Sequence, residues 1–137
     1  MKYVLDTNAV SALMRGDAAV LSTLRSKDKQ EVGVPQPVMA EIAYGIDQLS
    51  QSRRKEGLRE RFALICGELP RVSWDDEVSL RFGVAKAALE RKGLRLEDFD
   101  LAVAAHAIAI GAVLVTANMR HMERITGLKI ENWARST

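Results

Sequence analysis

Short apolar runs of strand type alternate with longer stretches of helical period along the whole chain. That alternation decides the fold class before any single residue is considered. Tyr3 to Leu5, Val32 to Val34, Arg71 to Ser73, Val113 to Thr116 and Leu128 to Ile130 read as strands. Helical stretches fill the intervals: 9–14, 18–25 behind the cap Asp17, about 38–49, and 53–68, which Pro70 stops. A long helix opens at Asp75 or Asp76 and ends before Gly93, with Val78, Phe82, Ala85 and Leu89 on one face. A last helix, Phe99 to Ile110, is closed by Gly111. Strands separated by helices pair in parallel through crossovers. The expectation is an α/β fold in three layers, a mainly parallel central sheet of four to five strands flanked by helices.

At 137 residues and 47% hydrophobic, the chain is expected to fill one domain, 1–137, with its own core. The net charge of +2 permits a nucleic-acid partner without requiring one. The single cysteine, Cys66, excludes an intrachain disulfide, which suits a reducing compartment, and it reads as a packing residue. With only His106 and His121 present, a histidine-rich metal site is excluded. His106 is expected in the core and His121 near the edge of the site. The most apolar stretch, Leu101 to Ala117, holds His106 and Gly111 and falls short of the roughly 20 residues of a membrane span. The N-terminus has no secretory pattern. No membrane association and a cytoplasmic location are expected.

The first strand stops on a carboxylate, Asp6, followed by Thr7 and Asn8. Open α/β sheets bind ligands just beyond the carboxyl ends of their strands. Alone, Asp6 is equally well read as a helix N-cap. Glu41 falls on the border of the apolar face made by Val38, Ile42, Ile46 and Leu49, where a carboxylate is partly buried and needs a partner. Asp100 opens a helix that is apolar on two sides; Asp98 competes with it and is expected to be the more exposed. Asn118 follows its strand as Asp6 follows the first, and alone would be a turn residue. Together, three acids and an amide from four separated elements can converge on one edge of the sheet. Clustered carboxylates repel and some stay protonated. A hard divalent cation such as Mg²⁺ removes that problem, and the chemistry implied is metal-assisted phosphodiester hydrolysis.

Four stretches in order carry a family resemblance: Leu5-Asp6-Thr7-Asn8; 38–45, Val-Met-Ala-Glu-Ile-Ala-Tyr-Gly; 98–107, beginning Asp98-Phe99-Asp100; and Val115-Thr116-Ala117-Asn118. With the closing Ile130-Glu131-Asn132-Trp133, they make the chain resemble PIN-domain nucleases, and among those the VapC-type ribonuclease toxins of toxin–antitoxin pairs. The resemblance implies a Mg²⁺- or Mn²⁺-dependent endoribonuclease acting on structured RNA, often tRNA. It implies a homodimer held inactive by a cognate antitoxin protein. It assigns the metal to Asp6, Glu41 and Asp100 and supporting hydrogen bonds to Asn8 and Thr116. The fourth acidic position of the family is Asn118 here, a weaker ligand, so one well-occupied metal is expected, with a second arriving only with RNA.

Arg53, Arg54, Lys55, Arg59 and Arg61 form a basic run that either grips RNA phosphates or is a solvated face. Trp74 and Trp133 are expected to pack rather than stack on bases. Two other readings compete: a non-catalytic RNA- or protein-binding scaffold on the same fold, and a structure-specific DNA nuclease, for whose extra helices 137 residues leave little room.

Overall fold

The computed structural model describes residues 1–134. Strand β1 (Tyr3–Leu5) leads into helices α1 (Thr7–Arg15) and α2 (Ala18–Arg25), and a 3₁₀ turn, Lys29–Glu31, precedes β2 (Val32–Pro35). Helices α3 (Gln36–Asp47) and α4 (Arg53–Glu68) follow, then β3 (Arg71–Val72), α5 (Asp76–Arg91), α6 (Asp98–Ile110), β4 (Val113–Val115), α7 (Met119–Met122) and β5 (Lys129–Glu131).

All five strands pair in parallel, in the order β3-β2-β1-β4-β5. The expected mainly parallel sheet is thus parallel throughout. Its central strand, β1, sets Leu5 against Val115 of β4. The chain fills the sheet from β1 through β2 to β3, then crosses to the other side of β1 for β4 and β5. The point where the strand order reverses lies between β1 and β4, where open parallel sheets form a crevice.

Val4, Leu5, Val32, Val34, Leu114 and Val115 are buried, as strands covered on both faces require. Gly33 leaves no room for a side chain: a Cβ there would come within 2.6 Å of Val72 Cγ2. Helix α6 is sealed from Leu101 to Ala107, because its small alanines let β1, α3 and α5 approach it closely. Its left-handed stop at Gly111 (φ 68°) is one that a residue with a Cβ adopts at a cost.

Several boundaries shift by a residue or two. Helix α1 starts at Thr7 because Asp6 is its N-cap, and α3 starts at Gln36 because Pro37 suits a first turn. The polar stretch after α3 is a short turn, since Ser52 caps α4 through the Lys55 N–H at 3.1 Å. Among the described residues, no helix is long and apolar enough to cross a membrane.

Candidate active site

Asp6 stands at the reversal point of the sheet and is only 7% exposed. Its backbone N–H donates to Val115 O (3.1 Å), tying it to β4, while its Oδ1 accepts from the Ala9 N–H at 2.8 Å. It is therefore the N-cap of α1, and capping leaves its second oxygen available. Thr116, fully buried just past the end of β4, sits close enough to the Asp6 carboxylate to favour its charged form.

Helix α3 brings Glu41 to the same place. Its Oε1 accepts from the Thr7 hydroxyl at 2.5 Å, in the range of a charge-assisted bond. Asp100 enters from the first turn of α6. Burial raises the Asp6 pKa above the usual carboxylate value, and the Asp100 and Glu41 charges add to the rise; Thr116 and the Ala9 hydrogen bond oppose it. Burial also raises Asp100, followed by repulsion from Glu41 and Glu97, while His121 pulls the other way. Two buried carboxyls raised in this way beside a crevice are a physical mark of a functional site.

The remaining positions divide. Asp98 is exposed and pairs with Lys86 at 3.0 Å, so it is drawn away from the other acids. Asn8 is exposed and lines a separate hollow of about 240 Å³ with Arg15, Thr116 and Trp133. The hydroxyl that orients an acid on this helix is its neighbour Thr7, which the sequence reading passed over; its place one residue after a strand-ending Asp was the available signal. Asn118 donates its backbone N–H to Thr116 Oγ1 (2.9 Å) and lies 2.6 Å, through Oδ1, from His121 Nδ1. Asp100, Asn118 and His121 share a cleft of about 610 Å³ with Lys86, Arg95 and Glu97.

The basic run is not a continuous stripe. Lys55 is buried, with Nζ donating to Asp47 O (3.1 Å) and Leu49 O (3.0 Å). Arg59 pairs with Glu56 at 2.6 Å and Arg61 donates to Met14 O at 3.2 Å. Arg53 and Arg54 remain exposed. His106 is in the core as expected, its Nδ1 bonded to Ala102 O (2.7 Å), but among the described residues its Nε2 has no partner. Trp133 is buried, whereas Trp74 sits with its ring edge-on to His106 and is 44% exposed.

Among the described residues, no three His, Cys, Asp or Glu side chains are close enough to enclose a metal ion by themselves. The donor set nonetheless fits a cation of the Mg²⁺ type: the donors are hard oxygens, their charges repel, and Mg²⁺ keeps several waters while binding only one or two carboxylates.

Comparison with known proteins matches this frame. The PIN domain model aligns with residues 3–128. Ribonuclease VapC2 of Rickettsia felis is 33% identical over 97% of this chain and 98% of its own length. The tRNA(fMet)-specific endonuclease VapC of Salmonella typhimurium is 27% identical over 97% of this chain and 98% of its own length. The crystal structure of VapBC2 from Rickettsia felis bound to a promoter DNA fragment superimposes with a TM-score of 0.87 at 29% identity, covering 97% of this chain and 99% of that one. With its parallel sheet, its acids at the strand reversal and these relatives along nearly its whole length, the chain belongs to the PIN-domain family, among the VapC ribonucleases.

Proposed function

We propose that the chain is a Mg²⁺-dependent endoribonuclease, the toxin of a toxin–antitoxin pair, which hydrolyses phosphodiester bonds in structured RNA, tRNA first, and so blocks translation. One observation carries this reading: Asp6 stands where the strand order reverses, the charges of Glu41 and Asp100 reach it there, and burial, with repulsion from neighbouring carboxylates, holds the Asp6 and Asp100 carboxyls above their ordinary pKa.

In this reading Asp6, Asp100 and Glu41 hold the cation, Mn²⁺ substituting for Mg²⁺. The cation, when bound, activates water and stabilises charge developing on the phosphate. The Ala9 N–H fixes the Asp6 carboxylate, with Thr116 beside it, and Thr7 fixes that of Glu41, so each acid meets the ligand in one orientation. Asn118 acts from the cleft beside Asp100. Support for tRNA comes from the Salmonella relative that is named for tRNA(fMet). The VapBC complexes that share the fold support a cognate antitoxin partner. A homodimer and a cytoplasmic location complete the proposal.

The test is incubation of total bacterial RNA with the purified chain in Mg²⁺, in Mn²⁺ and in EDTA, beside Asp6→Asn. A discrete metal-dependent fragment is expected, with cleavage reduced at least about a thousandfold in the variant while its fold survives. Equal cutting by Asp6→Asn would move the chemistry elsewhere. Metal-independent RNA binding without cleavage would instead establish a scaffold.

A further inference from the structure

We propose that Asn118 is a donor to the substrate phosphate and not a metal ligand, and that His121 is the positioning residue that makes it one. The inference rests on the endoribonuclease reading and adds a phosphate-recognition element to it.

An asparagine offers one acceptor oxygen and two N–H donors. In this site the oxygen is taken: His121 Nδ1 lies 2.6 Å from Asn118 Oδ1. Only a ring N–H can satisfy a carbonyl oxygen at that distance, so the imidazole donates through Nδ1. A cation on the remaining lone pair of that oxygen would face the positive end of the N–H dipole. The backbone is pinned as well, with the Asn118 N–H donating to Thr116 Oγ1 at 2.9 Å. Although Asn118 occupies the N-cap position of α7, its side chain makes no capping bond. Among the described residues its Nδ2 therefore has no protein partner, and the side chain lines the cleft beside Asp100.

The surroundings say what such a donor is for. Asp100, Glu97, Asp98 and Glu90 line the same cleft; of its two basic chains besides His121, Lys86 is engaged by Asp98, and Arg95 adds one cation against four acids. Carboxylates repel a phosphate's non-bridging oxygens. A neutral amide, held still by two hydrogen bonds, can donate to them with no like-charge penalty. Carboxylate at this position would offer only acceptors.

Three measurements test this: Mn²⁺ affinity of the free protein by calorimetry, dissociation of unfractionated tRNA in Ca²⁺, and KM and kcat for tRNA cleavage in Mg²⁺. Asn118→Ala is expected to leave the Mn²⁺ constant within about twofold and to weaken tRNA binding and raise KM about tenfold. His121→Ala should raise KM severalfold, also without loss of Mn²⁺ affinity. His121→Gln, whose amide N–H still donates to Oδ1, should recover most of that loss. Asn118→Asp is the sharpest arm: it should raise KM even though it is the better metal ligand. A tenfold loss of Mn²⁺ affinity in Asn118→Ala with KM unchanged, or tighter Mn²⁺ with unchanged KM in Asn118→Asp, overturns the assignment. A wild-type chain that binds tRNA in Ca²⁺ but never cuts it overturns the parent reading instead, and the binding constants still decide the role of Asn118.

Discussion

Among the described residues, Lys55 and Asp6 are the two charged side chains buried to comparable depth, 6% and 7% exposed, and they are buried for opposite reasons. The Lys55 ammonium reaches back from α4 to the end of α3, where helix carbonyls lack intrahelical partners, and donates to two carbonyl oxygens. Cation and helix terminus satisfy each other. Asp6 has its hydrogen bonds too, yet the charges that reach it among the described residues are those of two further carboxylates. Buried charge whose surroundings complete it belongs to the architecture. Buried charge whose surroundings repel it waits for something from outside.

The largest stability effect expected is at the first of these places. Lys55→Met keeps the side chain's bulk and leaves two carbonyls at the end of α3 without a donor. It should cost about 2 kcal/mol and lower the melting temperature by roughly 5–10 °C, with kcat per folded molecule unchanged. Calorimetry and an activity titration check both halves. A loss of activity at full stability would return Lys55 to the RNA surface.

Asp100→Asn should behave in the opposite sense, abolishing cleavage and stabilising the fold. The folded chain holds the Asp100 proton more tightly than the unfolded chain does. The stability that protonation supplies is present below the ordinary value of 3.8 and is lost as pH rises through the elevated folded pKa. Melting curves in EDTA should show the variant gaining on the wild type from about pH 4 towards neutrality, by a few degrees. A wild type that is the more stable at pH 7 would mean that the acids already have a partner inside the chain.

A smaller change sharpens the picture. Thr7→Val removes the hydroxyl that orients Glu41 while keeping the shape of the side chain. Cleavage should fall about three- to tenfold, and the fold should be disturbed by no more than about 1 kcal/mol. No change in rate would show that Glu41 finds its place unaided.

These contrasts also explain what could be read from the sequence. The alternation of strands and helices was legible because β1, β2 and β4 are short and apolar and the helices between carry cap or stop residues such as Asp75 and Gly111. The positions of Asp6, Glu41 and Asp100 were legible as a set, since each breaks an apolar pattern at the end or border of an element. Lys55 was not. In the sequence it is one cation among several, and only the return of α4 against α3 brings its ammonium to the carbonyls of Asp47 and Leu49. Thr7 and His121 escaped for a related reason: a hydroxyl or imidazole acquires its role from a partner far along the chain, or from a rotamer. The orientation of Asn118 could not be read at all, because sequence gives the amide and not the side on which its oxygen lies.

The uniform direction of the strands has a practical consequence. Because all five run parallel, every segment that enters a strand lies at the rim opposite the acids. The stretches 26–28 and 126–127, which precede β2 and β5, are such segments, and both carry exposed residues. A fluorophore or short tag placed there would be a strand's length, about 10 Å, from the crevice. It could report binding at the far edge while leaving that edge chemically unaltered. A parallel sheet thus gives this small protein two independent sides, one that can be labelled, lengthened or varied, and one that cannot.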